Sequence, residues 1–216
     1  VDLSVIMPIA TSPTQHTTIN TFAKEITDNK KIISFGSIHP MQTDWEEALE
    51  HIAELKLPGI KMHPEFQDFY VDEPIILDIV KKCEKLNLLV LFHSGADMGY
   101  HPPVHCTPQR LRTVLDKTGC TNIIAAHLGA FLMWEDVDKY LIGTSVMMDT
   151  SMTNSFLDKE KCTDMIKRHG ADKVLFGSDS PWQGQRAALD YLLSLNISDE
   201  ERALITHKNA ERLLSL

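Results

Sequence analysis

Short apolar runs recur along the chain about every 30 residues, the length of one βαβ unit. They lie at Leu3–Pro8, Lys31–Ile38, Gly59–His63, Leu88–His93, Asn122–His127, Ser145–Asp149 and Lys173–Gly177. Most are continuous rather than alternating, which predicts parallel strands covered on both faces. Between them the apolar positions take a helical spacing of i, i+3, i+4 and i+7. The sets are Ile19/Phe22/Ala23/Ile26, Trp45/Ala48/Leu49/Ile52, Ile76/Ile79/Val80/Cys83, Cys162/Met165/Ile166/His169 and Ala188/Tyr191/Leu192/Leu195. Each predicts an amphipathic helix with one face on a sheet. Thr107 before Pro108 and Ser180 before Pro181 predict capped helix starts, and Gly170 predicts a helix end.

No low-complexity tract, charge block or Pro/Ser linker divides residues 1–216, so the pattern predicts a single domain. Seven βα units are too many for most doubly wound sheets and one short of an eight-unit barrel. The expected fold is therefore a TIM (β/α)8-type barrel whose first βα unit lies before Val1. The chain enters an apolar run at Val1 with no polar lead, which carries the same expectation.

Composition narrows the partners. A formal net charge of −9 repels phosphate backbones, so nucleic acid is not an expected partner. The four cysteines, Cys83, Cys106, Cys120 and Cys162, form no C-x-x-C pair and read as reduced thiols of a cytoplasmic protein. No apolar run approaches a membrane span. A small-molecule substrate is the expected partner, and assembly into a homo-oligomer is left open.

Barrel enzymes place their chemistry at the C-terminal ends of the strands. His39, Lys61, His63, His93 and His127 stand at such ends, and Asp179 follows the last run. A lone strand-end His is more often a packed ring, and an Asp after a strand is often a helix cap. Here the repetition points further. His93, His127 and Asp179 occupy equivalent positions on separate strands, and two imidazoles with one carboxylate suit a catalytic divalent ion, zinc above all, with one position left for water. Lys61 and His63 share a strand face and read as substrate contacts, against a lysine that merely snorkels at the barrel mouth. His39 reads as a strand terminator.

The connection Ser94–Thr107 is long and predicts a semi-rigid lid. His101 and His105 have a helical metal spacing, but Pro102 and Pro103 between them forbid a helix. Trp182 either walls the pocket or packs beneath the last helices. Met133, Met147, Met148 and Met152 read as core filling.

The motifs Gly-Ile-Lys-Met-His-Pro, Phe-His-Ser-Gly, Ala-His-Leu-Gly and Phe-Gly-Ser-Asp-Ser-Pro-Trp, with the closing Asn209-Ala210-Glu211-Arg212-Leu213, resemble the amidohydrolase superfamily. The resemblance is greatest to the amidohydrolase-related branch that includes aminocarboxymuconate-semialdehyde decarboxylase. It implies a distorted TIM barrel with one divalent metal, sometimes two. It also implies His93 and Asp179 as ligands, and His127 as a group acting on substrate or water that binds a second metal in some members. The family's H-x-H pair occurs nowhere in this chain, and is expected upstream of Val1.

The function so implied is hydrolysis of a small carboxylate- or amide-bearing substrate through a metal-activated water. Asp179 would move the proton, His127 would stabilise the developing oxyanion, and Lys61 would anchor an anionic group. The alternatives are non-oxidative, metal-dependent decarboxylation of an aromatic or enoic acid, and a non-catalytic or fragmentary barrel that only binds ligand. Lys61, standing where the metal-dependent deoxyribonuclease branch is expected to carry Glu, argues against that branch, as does the acidic surface.

Overall fold

The computed structural model describes residues 1–216. Seven parallel strands follow one another in sequence order: β1 (Ser4–Ile6), β2 (Ile32–Ser34), β3 (Gly59–Met62), β4 (Leu89–Phe92), β5 (Ile123–Ala125), β6 (Met147–Asp149) and β7 (Val174–Leu175). The ladder runs unbroken from β3 to β7. The bridge between Gly36 and Ile60 joins it to the β1–β2 pair. Gly36 is required there, because a Cβ would stand 2.7 Å from Asn20 Oδ1 and 3.2 Å from Ile52. Each strand core is two to four residues, shorter than the apolar run that predicted it.

The helices are α1 (His16–Ile26), α2 (Trp45–Glu54), α3 (Pro64–Gln67), α4 (Pro74–Lys85), α5 (Pro108–Thr118), α6 (Trp134–Tyr140), α7 (Lys159–His169) and α8 (Gln185–Leu193). At the C-terminus α9 (Asp199–Ala203) runs through a π turn at Leu204–Lys208 into α10 (Asn209–Leu214). No helix is long and apolar enough to cross a membrane. The predicted faces of α2, α4 and α7 are buried as expected: Ile52, Ile76, Ile79, Val80, Cys83, Cys162, Met165 and Ile166 are fully covered. On α1 the buried pair is instead Asn20 and Ala23, while Phe22 is 49% exposed. Asn20 is drawn inward because its amide donates to Ser37 O (3.2 Å) and its oxygen accepts from Ser37 N (2.9 Å).

Thr107 caps α5, accepting from Arg110 N, as predicted. Ser180–Pro181 does not start a helix: these residues sit in a turn closed by Trp182 N donating to Asp179 O (2.9 Å), and α8 begins only after Gly184. The dipeptide pattern of a cap is shared by tight turns, which decided the outcome here.

Strand parity sorts the interior. Side chains at alternate positions share a face. Phe35, Leu91, Ile124, Ala126 and Met147 form one apolar cluster, with Val5, Leu89 and Leu175 against it and Leu213 and Leu214 of α10 packed on it. This is the filling of the barrel. The opposite faces of the same strands, including Ile60, Met62, Val90, Phe92, Ile123 and Met148, join the larger core under the helices. All four cysteines are buried and free. Asn209 ties the C-terminal helix to β7 by donating to Ala171 O (2.7 Å) and Val174 O (2.8 Å).

Candidate active site

The same parity carries polar groups to the top of the barrel. Lys61 follows Gly59 on the inner face of β3, and His93 follows Leu91 on that of β4. Asp149 follows Met147 on β6 in the same way. His63 is the cap of α3: Pro64 takes the first helical position and Phe66 N approaches His63 Nδ1 (3.4 Å). His127 reaches the mouth by a different device. His127 and Leu128 adopt left-handed backbone with φ of 63° and 52°, a conformation that costs non-glycine residues roughly 1–2 kcal/mol each. Asp149 holds that bend. Its carbonyl accepts from Leu128 N (2.6 Å) and its carboxylate from His127 N (3.2 Å).

Four buried groups then form a chain. Ser151 Oγ donates to the Asp149 carboxylate. A hydroxyl has one proton, so its contact with His127 Nδ1 (2.8 Å) must be one in which the ring donates. His127 Nε2 is then a bare acceptor for His93 Nδ1–H, 3.1 Å away. Burial, followed by the positive charge of Lys61, holds His127 down to about 3, and burial followed by His127 holds His93 well below the ordinary histidine range. Both rings are therefore neutral. The consequence falls on His93 Nε2, which is left with a lone pair, buried and without a partner.

His63 lies flat against His93, with centroids 4.1 Å apart and planes 8° from parallel, and its other face stacks on Phe66 at 3.7 Å. Asp97 approaches both histidines, its carboxylate 3.4 Å from His63 Nε2 and 4.0 Å from His93 Nε2. Glu65, 8% exposed, accepts from His105 N with one oxygen. Its second oxygen, 3.8 Å from His63 Nδ1, has no hydrogen-bond partner. Burial raises the Glu65 carboxyl. The bare His93 nitrogen and the Asp97 carboxylate facing it make a donor pair that suits a divalent cation.

Lys61 is buried, so it is not a lysine snorkelling at the mouth. Desolvation pulls it down to about 8, opposed by Asp149 and then Asp179. The structure thus brings Lys61, His63, His93 and His127 together. Asp179 stands on the exposed rim with φ 52°, and its carboxyl is raised by desolvation and then by Asp149. Donor atoms within 4.8 Å of one another belong to His63, His93 and Asp97. Sequence reading did not single out Asp97, Glu65, Ser151 or Asp149. Lys61 and His63 at strand ends were the available signal for where such partners gather.

The segment Ser94–Thr107 folds over this region. Gly95 has φ +86°, and the Phe131 backbone occupies the place of a Cβ. Gly95 bridges Phe131 and turns Asp97 back above His93. A cavity of about 50 Å³ beneath the segment is lined by Glu65, Ala96, Asp97, Tyr100, His101 and Pro102 among others. His105 packs on Tyr70 at 4.3 Å and contacts Pro64 O, away from His101. Trp182 is 80% exposed and so does not pack beneath the last helices. His39 closes a turn, its Nδ1 accepting from Met41 N.

Comparison with known proteins places this architecture. The sequence model of the family described as amidohydrolase matches residues 9–216. No curated protein matches. Among solved structures, 5-carboxyvanillate decarboxylase from Sphingomonas paucimobilis superposes with a TM-score of 0.77 at 16% identity, covering 100% of this chain and 79% of that one. The same enzyme from Novosphingobium aromaticivorans, complexed with manganese and 4-hydroxy-3-methoxy-5-nitrobenzoic acid, gives 0.76 at 15% identity, covering 100% and 77%. A dihydroxybenzoic acid decarboxylase from Polaromonas with bound manganese and 2-nitroresorcinol gives 0.67 at 20% identity, covering 93% and 75%. At these identities the likeness is one of fold. The family match spans nearly the whole sequence, and the chain belongs to the amidohydrolase family.

Proposed function

We propose that this chain catalyses the non-oxidative, metal-dependent decarboxylation of a small aromatic or enoic carboxylic acid. The observation that carries the reading is a buried cation among buried imidazoles: Lys61 is 8% exposed, and its charge acts on His63, His93 and His127. A buried ammonium is a strong anchor for an oxygen of an anionic substrate. The three decarboxylase structures of the same fold, two of them with manganese, support this choice over hydrolysis.

In the reaction the ring or alkene carbon that bears the carboxylate takes a proton, its electrons supplied by a neighbouring substrate oxygen that Lys61 holds. The bond to the carboxyl carbon then breaks, CO₂ leaves, and the bonding pair restores the ring or alkene π system. A carboxylate held in this buried mouth loses water, which favours the neutral CO₂. Asp179, at the rim with its carboxyl raised, delivers that proton to carbon from solvent. His127 keeps His93 oriented through their shared proton. His93 would hold a divalent cation, which would supply further positive charge to the substrate.

Hydrolysis uses the same residues with Asp179 as the base, and its exposed position at the rim is what favours that second reading. Product analysis separates the two. The manganese- or zinc-loaded protein is incubated with hydroxybenzoates and enoic acids, and with their amides and esters. Release of CO₂ with one solvent proton on the product carbon is expected; cleavage of amides or esters with oxygen taken from water overturns it.

A further inference from the structure

We infer that ligands enter the barrel mouth between the loops that follow β6 and β7, and that Phe156 is the gate of that entrance. The inference rests on where the reacting groups lie and not on which reaction they perform. Lys61, His93 and His127 are all buried, so a substrate reaches them only after some segment gives way.

Two segments roof the mouth, and they are held differently. The Ser94–Thr107 segment is braced by backbone bonds on both sides. Gly95 N donates to Cys106 O (2.9 Å), Ala96 N to Phe131 O (3.0 Å) and Phe131 N to Ser94 O (2.8 Å), while Val71 N donates to His105 O (3.2 Å). His105 N adds a bond to the Glu65 carboxylate (3.0 Å). The loop after β6 is fixed at its flanks. The hydroxyl of buried Thr153 donates to Thr150 O (2.7 Å), and buried Leu157 accepts from the Tyr191 hydroxyl (2.7 Å). Between them Ser155 and Phe156 are exposed. This short flap meets the loop after β7 through the bond from Gln183 Nε2 to Ser155 Oγ, at 3.3 Å.

The closed seam is also poorly satisfied. Asn154 Oδ1 and Gln183 Oε1, one from each loop, are buried without a hydrogen-bond partner. Buried acceptors are normally paired, and parting the seam lets water reach both. Met152, just before the flap, is buried in left-handed backbone with φ 61°, a strained conformation of the kind that gathers at switches and ligand clamps. Weakly held segments are the ones from which access to a site is drawn.

Phe156 is what the flap carries. Its ring stands edge-on to Phe131 (centroids 5.0 Å apart, planes at 87°), and Phe131 stands edge-on to His127 (5.9 Å, 66°) and to Trp134 (6.1 Å, 88°). Phe131 is buried and Phe156 is 43% exposed. The outer ring is therefore the layer between solvent and an aromatic path that ends on His127. When the flap swings out, a ligand passes along Phe131 into the mouth.

The test locks each roof in turn. Ser155→Cys with Gln183→Cys lets a short bis-methanethiosulfonate reagent bridge the seam. Tyr70→Cys with His105→Cys, where the native rings lie 4.3 Å apart, lets the same reagent tie down the other segment. The four native cysteines are buried, and dithiothreitol removes each bridge. Access is read by acrylamide quenching of Trp134, which donates to His127 O (3.0 Å), in a Trp45→Phe, Trp182→Phe background. Thermal unfolding checks the folding of each variant. The seam bridge should slow quenching at least about threefold and CO₂ release at least about tenfold, both restored by dithiothreitol, because a closed gate limits entry. Phe156→Ala should speed quenching about twofold or more by uncovering Phe131. The bridge at positions 70 and 105 should change neither reading by more than about twofold.

Quenching that ignores the seam bridge, or that slows with the bridge at positions 70 and 105 instead, overturns the gate. CO₂ release untouched by the seam bridge also overturns it and keeps the decarboxylase reading. Quenching slowed by the seam bridge in a protein that releases no CO₂ keeps the gate and removes that reading.

Discussion

Replacing Ser151 with Ala tests the hydrogen-bonded chain that sets the protonation of the barrel mouth. The hydroxyl contacts His127 Nδ1 at 2.8 Å and donates to Asp149, and both Ser151 and His127 are 4% exposed. Asp149 is left with acceptable partners, since it still accepts from Ser151 N (2.9 Å) and His127 N (3.2 Å). His127 is not: its Nδ1–H faces a methyl group at a position only 4% exposed. The loss is one hydrogen bond, about 1 kcal/mol net, plus a buried unsatisfied donor at about 1–3 kcal/mol, hence about 2–4 kcal/mol in all. For a chain of this length that is roughly 4–16 °C in Tm. Urea unfolding of wild type and Ser151→Ala gives the free-energy difference. Ring nitrogen chemical shifts report whether the proton of His127 moves to Nε2, which would break its contact with His93. A change below about 0.5 kcal/mol, with the His127 tautomer unaltered, refutes the chain, because a surface substitution has an effect of that size.

Two further outcomes follow from named contacts. Burial holds His169 below its ordinary range; its Nε2 bonds Val146 O (2.8 Å) and its Nδ1 accepts from Gly143 N (3.3 Å), so the folded protein holds the ring neutral. The unfolded chain binds that proton near pH 6.5 and the folded one only at lower pH, so stability is full above about pH 6.5 and falls below it. Urea titrations from pH 8 to pH 5 should show a shallower loss in His169→Gln than in wild type, and equal slopes would reject the assignment. Gly95→Ala places a methyl on the Phe131 backbone at φ +86°; it should lower Tm by several degrees and weaken manganese binding, since the same bend delivers Asp97. Unchanged manganese affinity in a folded variant would disconnect Gly95 from the site.

The barrel was readable from the apolar runs because parallel strands covered on both faces leave a strong one-dimensional signal. The inward faces of α2, α4 and α7 were readable for the same reason, and Lys61, His63, His93 and His127 stood out by ending strands. What escaped depends on backbone turns that bring distant residues together. Asp97 reaches His93 only because Gly95 turns the chain back at Phe131. Ser151 reads as any serine after a strand until the left-handed bend at His127 brings the ring to it. Phe22 fits an inward helical face by spacing, yet Asn20, with two hydrogen bonds to Ser37, sets the rotation of α1. The cap expected at Ser180 failed because the chain from Asp179 to Gln183 closes a turn first.

The placement of strain and unsatisfied groups favours a ligand-holding mouth over a merely packed one. Buried polar atoms without a partner usually cost about 1–3 kcal/mol each, and more when the group carries charge. Most of those in this protein are oxygens of side-chain amides, and those of Asn122 and Asn209 use their nitrogens in hydrogen bonds elsewhere. The exceptions in chemistry are His93 Nε2 and Glu65 Oε2, and both contact His63. Non-glycine residues in left-handed backbone at His127 and Leu128 add a further cost beside them. An apolar side chain in place of His93 would remove its orphaned nitrogen and continue the filling formed by Leu91 and Ile124 below it. Stability alone therefore selects against the residues present, and a bound cation that takes up the lone pair offsets what they forfeit in its absence.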